Sequence, residues 1–222
     1  MLYDVIRRTL APAGKLIYRP TVVGLANVPR SGPVIFAANH LSFIDSFVIP
    51  LVAQRQVAFL AKSEYFHGRS PRQRLVGAVL GALGHVPVER GKGRASLAAL
   101  DVATEVLEAG GAFGIYPEGT RSLDGRLHRG HTGVAQLTLT TGAPVVPVAL
   151  IGTDRMMPVG ARLPRRRPVT IRFGTPLDFT RYEGLADSPA VRRSVTDEIM
   201  YAILDLSGQE YVDEYHKRPD AA

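Results

Sequence analysis

The sequence predicts a single α/β domain with a largely parallel or mixed central sheet flanked by helices. Three observations lead there. Short β-branched runs bounded by turn residues recur along the chain, and segments with helical apolar spacing separate them. A content of 45% apolar and 21% charged residues can fill a sizeable core. The length, 222 residues, suits one domain of this class.

In chain order, VIFAA (34–38) follows the Ser31-Gly32-Pro33 turn signals and reads as a buried strand. LSFIDSFVIPLVA (41–53) reads as a helix with Ser42 as its cap and Pro50 as its end or kink. VAFLA (57–61) is a second strand, and LVGAVLGAL (75–83) an apolar helix whose Gly77 and Gly81 suit close packing or the lining of an apolar channel. A short strand falls in HVPVER (85–90). RASLAALDVATEVLEAG (94–110) is an amphipathic helix closed by glycine. Strand AFGIYP (112–117), helix TGVAQLTLTTG (132–142) and strand PVVPVALIG (144–152) come next. A Pro/Arg loop (158–168), strand VTIRFG (169–174) and helix AVRRSVTDEIMYAILDL (190–206) complete the order. This alternation of strand and helix argues for parallel pairing.

The formal charge of +7 favours polyanionic partners: nucleic acid, anionic lipid or a phosphorylated substrate. Without a stacking platform or zinc knuckle beside Arg165-Arg166-Arg167, a nucleic-acid partner is not expected. The absence of cysteine excludes disulfides, thiolate metal sites and a cysteine nucleophile. The first twenty residues lack a signal peptide's apolar core and cleavage site, so export is not expected. No run reaches the roughly 18 apolar residues of a membrane span.

His40-Leu41-Ser42-Phe43-Ile44-Asp45 places a titratable base five residues before a carboxylate. On one continuous helix that spacing turns the two side chains about 140° apart, so they meet only if His40 lies in a loop and Asp45 in the first helical turn. A carboxylate holding one imidazole N–H leaves the other nitrogen free to take a proton. That is half of a hydrolase triad, with a substrate hydroxyl in place of the serine. The same residues also fit a plain helix start, with Asp45 at the positive end and His40 an ordinary loop residue.

A second pattern, Pro117-Glu118-Gly119-Thr120-Arg121-Ser122, follows a buried strand. Its glycine permits close backbone approach and its arginine fork suits phosphate, although a strand-end turn with a solvated arginine is equally compatible. Gly91-Lys92-Gly93 lacks the phosphate-loop spacing, and no Gly-x-Ser-x-Gly elbow occurs. His128-x-x-His131 reads as a solvated loop rather than a metal site.

Together, Asn39-His40-x4-Asp45 and Pro117-Glu118-Gly119-Thr120-Arg121 resemble the glycerolipid, or lysophosphatidate, acyltransferase family. GHVPVER, with Gly84 and Arg90, and APVVPVALIG, centred on Pro147, resemble the two further blocks, in the same order. The resemblance covers roughly residues 25 to 180 and implies a glycerol-3-phosphate acyltransferase-like fold. It implies His40 as general base and Asp45 as its orienting carboxylate, with Arg90, Glu118, Gly119, Thr120 and Arg121 around the acceptor phosphate. It implies direct acyl transfer from acyl-CoA or acyl carrier protein to 1-acyl-sn-glycerol-3-phosphate, glycerol 3-phosphate or another lysophospholipid, with no cofactor. Tyr116 stands where phenylalanine is common in the family.

Such an acceptor is membrane-resident, and a peripheral place on the cytoplasmic membrane face is expected. Residues 1–24 are expected to form the docking segment and 25–222 the acyltransferase domain. Leu2, Val5, Ile6, Leu10, Leu16 and Ile17 would enter the interface, while Arg7, Arg8, Lys15 and Arg19 meet anionic headgroups.

Overall fold

The computed structural model describes residues 12, 14, 16–66, 70–88, 94–161 and 163–216. Its centre is a seven-stranded sheet: β1 (Thr21–Val23), β2 (Val34–Ala38), β3 (Ala58–Lys62), β4 (Val86–Val88), β5 (Ala112–Ile115), β7 (Val145–Ile151) and β8 (Thr170–Phe173), in the spatial order β1-β8-β7-β2-β5-β3-β4. Five neighbouring strands, β7 to β4, run parallel; β8 opposes β7, and β1 follows β8, so the sheet is mixed. A separate parallel pair joins β6 (Leu127–His128) to β9 (Tyr211–Val212). The helices are α1 (Asp45–Val52), α2 (Pro71–Ala82), α3 (Arg94–Glu108), α4 (Gly133–Thr141), the single turn α5 (Thr153–Met156) and α6 (Pro189–Ser207).

Every residue of β2 is buried, as expected of a strand covered on both faces. Val34, Phe36 and Ala38 point to one core with Ile49 and Val52 of α1 and Ile171 of β8. Ile35 and Ala37 point to the other, with Ala103 and Leu107 of α3, Leu137 of α4 and Ile199 of α6. The two-residue side-chain period of one strand thus sorts the helices into two layers.

Several boundaries differ from the sequence expectation; α2, for one, starts at Pro71 behind a Ser70 capping box, four residues before the expected start. α1 starts at Asp45 with Ile44 before it, because Ser42 donates its hydroxyl to the Met157 carbonyl (2.7 Å) and does not cap. α1 also continues through Pro50 to Val52; the proline sits in the last turn, where it costs only the bond to the Ser46 carbonyl. The strand predicted at 57–61 runs one residue later. The pairing of β6 with β9 joins segments too far apart in sequence for local patterning to signal it.

α2 settles the roles of its two glycines. A β-carbon on Gly77 would lie 2.7 Å from the Tyr65 carbonyl oxygen, whereas one on Gly81 would meet nothing within 4 Å. Gly77 is therefore a packing residue, and Gly81 is simply an unfavourable helix residue. Gly81→Ala should stabilise by up to about 1 kcal/mol, and Gly77→Ala should destabilise by about 1–3 kcal/mol through overpacking. Thermal melts that move in opposite directions are the expected outcome; a rise for both would remove the packing role of Gly77.

Candidate active site

β2 and β5 are parallel neighbours, so the segments leaving their carboxyl ends emerge side by side, where open α/β sheets place ligands. One carries Asn39 to Asp45 and the other Tyr116 to Ser122. Asp45, fully buried at the first position of α1, turns back toward the loop before it. Its Oδ2 accepts hydrogen bonds from the backbone N–H groups of Leu41 (2.8 Å) and Ser42 (2.7 Å) and lies 2.9 Å from His40 Nδ1. An oxygen with two N–H donors already on it is an acceptor toward the ring. Nδ1 therefore carries the proton, and Nε2 is left as the basic nitrogen. The His40 side chain keeps 13% of its surface exposed.

The His40 ring lies flat on Tyr116, centroids 3.8 Å apart and planes 9° from parallel. Tyr116 is stacked in turn on Phe59 (5.3 Å), and Phe59 occupies the space a β-carbon on Gly114 would need. The Tyr116 hydroxyl lies 3.0 Å from Ser46 Oγ. Burial, reinforced by the nearby Asp45 carboxylate, holds that hydroxyl well above the usual phenol range. The imidazole is thus held by Asp45 at its edge and by Tyr116 on its face.

Glu118 is buried rather than presented to a ligand. Its Oε1 accepts from the His40 N–H (3.2 Å) and its Oε2 from the His128 N–H (3.1 Å). The geometry makes Glu118 a brace between loops. Gly119 makes the turn at φ 72°, with its N–H on the Tyr116 carbonyl, and the Ser122 N–H donates to the His40 carbonyl (2.7 Å). The Arg121 side chain, partly exposed, has no hydrogen bond or ion pair among the described residues, and neither do the backbone N–H groups of Thr120 and Arg121. The amides of His40, Leu41, Ser42 and Gly119 are already engaged, which leaves those of Thr120 and Arg121 to meet a developing oxyanion. Arg90 lies outside the described residues, as do residues 1–11 and Lys15 of the expected docking segment.

Sequence reasoning missed three supports. Asn39, fully buried, donates to the Leu150 carbonyl (3.0 Å) and to Gln209 Oε1 (2.7 Å), and accepts from the Leu150 N–H (2.7 Å). Gln209 also donates to the Gly125 carbonyl (2.7 Å), so the chain's last segment reaches both site loops. His128 is not solvated as expected. It is buried in β6 with Nε2 3.1 Å from Asp124, whose carboxyl is held well below the usual range despite partial burial by hydrogen bonds from Arg126, His128 and Ser122. Exposed His131 stacks on Tyr215. An apolar cleft lined by Tyr18, Ile44, Phe47, Val48, Leu51 and Met156 runs beside α1, away from the α2 glycines.

Two buried groups oppose each other in their pH response. Burial raises Glu118 from 4.5 to about 7 against the pull of its two backbone N–H bonds. Burial among aromatic rings lowers His85 from 6.5 to about 4, only partly offset by the Ser46 carbonyl. Glu118 thus loses stability as pH rises from 4.5 to 7, and His85 loses it as pH falls from 6.5 to 4. Each amounts to about 3 kcal/mol, and between pH 4.5 and 6.5 the slopes cancel. Denaturant unfolding across that window should be nearly flat for the wild type, fall with rising pH in His85→Phe and climb with rising pH in Glu118→Gln. Parallel profiles for all three proteins would contradict it.

The fold and site define a class: an α/β domain with a carboxylate-oriented histidine at the carboxyl edge of its parallel strands, beside a glycine turn that ends in an arginine with no partner among the described residues. The chain belongs to the Acyltransferase family, whose model matches residues 19–151. It is 34% identical over 145 residues to chloroplastic 1-acyl-sn-glycerol-3-phosphate acyltransferases of Brassica napus and Arabidopsis thaliana. Each match takes in 65% of this chain but only 40% and 39% of those proteins, so the chain spans about two fifths of their length. The crystal structure of the 1-acyl-sn-glycerophosphate acyltransferase of Thermotoga maritima superposes with a TM-score of 0.66 at 25% identity, covering 90% of this chain and 78% of that one.

Proposed function

We propose that this domain transfers a fatty acyl group from acyl-CoA to the free hydroxyl of 1-acyl-sn-glycerol-3-phosphate, forming phosphatidate, at the cytoplasmic face of a membrane. The observation that carries it is His40 Nδ1 at 2.9 Å from a carboxylate oxygen that two backbone N–H groups already hold in place. The relatives' names supply the acceptor class. His40 Nε2 takes the hydroxyl proton as the acceptor oxygen attacks the thioester carbonyl. The C–O bond forms, the C–S bond breaks, and the imidazolium returns its proton to the leaving thiolate. Arg121 grips the acceptor phosphate, and the cleft beside Ile44 and Phe47 gives an acyl chain an apolar wall. No described helix is long and apolar enough to cross a membrane, and the proposal takes contact with the bilayer to be peripheral.

His40→Ala should lower kcat by about 10²–10⁴-fold with the fold intact, since it removes the base. Asp45→Asn leaves a neutral acceptor for the same three donors and should retain measurable turnover. Circular dichroism and turnover measured together decide the matter, and a folded, fully active His40→Ala protein would sink the mechanism.

Arg121→Ala should raise the acceptor KM by about tenfold to a hundredfold through loss of a charge-assisted fork worth about 1.5–3 kcal/mol. Arg121→Lys should recover part of it. Unchanged acceptor kinetics in both variants would take Arg121 out of the phosphate site and make Arg90 the residue to test.

A further inference from the structure

We propose that the loop of residues 157–168 is a membrane-contact element, resting its apolar tip and its arginine run on an anionic phospholipid surface next to the acceptor site. The proposal deepens the peripheral, lipid-acylating function proposed above and rests on it.

Topology puts the loop in the right place. β7 runs parallel to β2, so the chain leaving β7 emerges at the same end of the sheet as His40, and it returns along the antiparallel β8. β1 is parallel to β8, so the residues that lead into β1 arrive at this end too. The Thr21 N–H donates to the Val169 carbonyl (2.9 Å), and Tyr18 Oη lies 3.5 Å from the Pro164 carbonyl oxygen. The loop and the segment around Leu16 to Tyr18 therefore lie side by side. At its base the loop is closed by the Arg165 N–H on the Met156 carbonyl (2.7 Å) and tied to the catalytic loop by Ser42 Oγ on the Met157 carbonyl (2.7 Å).

The surface chemistry is that of an interface with lipid. Leu163 is 77% exposed, Val159 65% and Leu16 73%, on a chain whose cores bury most residues of these types. Arg165, Arg166 and Arg167 are all exposed and have no ion pair among the described residues. Neither residues 157–173 nor residues 12–26 contain an acidic side chain, so nothing within these segments neutralises the arginines. Apolar side chains flanked by unpaired basic ones match a bilayer's acyl boundary and anionic headgroups together. A nucleic acid would use the charge and leave Val159 and Leu163 without a purpose. A loop held at Met157 by Ser42 also delivers the membrane surface to the end of the site from which a lipid acceptor must enter.

The test uses the full chain with vesicles of phosphatidylcholine, alone or mixed with phosphatidylglycerol. Replacing Arg165, Arg166 and Arg167 with Gln should weaken binding to the mixed vesicles by more than tenfold and flatten its salt dependence, at about fivefold per basic residue. Replacement of all three by Lys should preserve binding. Leu163→Asp should weaken binding to both vesicle types. Both loop variants should keep their circular dichroism and, within about twofold, their turnover on detergent-dispersed acceptor, while turnover on vesicle-borne acceptor falls with binding. Wild-type flotation after replacement of the three arginines by Gln, or in Leu163→Asp, would overturn the proposal, as would an equal loss of detergent activity. So would loss of salt-sensitive binding to duplex DNA with vesicle binding intact. If the wild type showed no acyl transfer in detergent while the variants still lost vesicle binding, the enzymatic proposal would fail and the docking surface would stand.

Discussion

One oxygen atom organises the site. Asp45 Oδ2 collects the N–H groups of Leu41 and Ser42 and faces the His40 ring, so a single acceptor fixes the turn of the loop, the start of α1 and the tautomer of the imidazole. A buried carboxylate is tolerable only when donors replace the water it has lost. The loop supplies them only in this conformation, so the group that would orient the base is also the group that shapes the loop it stands on. α1 has no side-chain cap of its own, because Ile44 stands at the cap position, and the carboxylate at its first position is spent on the residues before it.

Glu118 repeats the device one strand away. Its two oxygens hold His40 from one loop and His128 from the other, which converts the adjacency of β2 and β5 into a fixed distance between the imidazole and the Gly119 turn. The cost is visible in its raised pKa, the mark of a carboxylate buried with too few donors. Gln209 and β9 then close the far side of the same loop, joining Asn39 and Gly125 to the chain's last segment. The site is therefore assembled from segments more than a hundred residues apart, and the Arg121 guanidinium has no hydrogen bond or ion pair among the described residues.

Much of this was legible in the sequence. The buried strand VIFAA, the amphipathic helix over 94–108 and the five-residue offset that forces His40 into a loop follow from side-chain periodicity, because burial on a strand or helix leaves a periodic trace. The inward turn of Glu118 left none, since a carboxylate beside Gly-Thr-Arg looks the same in a sequence whether it faces solvent or a backbone amide. The same holds for Gln209, whose partners lie 170 and 84 residues away. Pro50 misled in the other direction. Its rule concerns helix interiors, and tertiary packing of Ile49 and Val52 carries α1 past it.

The direction of the strands brings these features to one edge of the sheet. A parallel sheet delivers the carboxyl ends of β2, β5 and β7 to one edge, where loops are free to vary without disturbing either core. His40, the Gly119 turn and the loop after Met157 all leave from that edge, and the reversal of β8 brings the chain entering β1 to the same place. The function proposed above requires base, phosphate ligand and docking surface to be presented in one direction at once. Strand polarity brings the three loops that would carry them to the same end of the sheet.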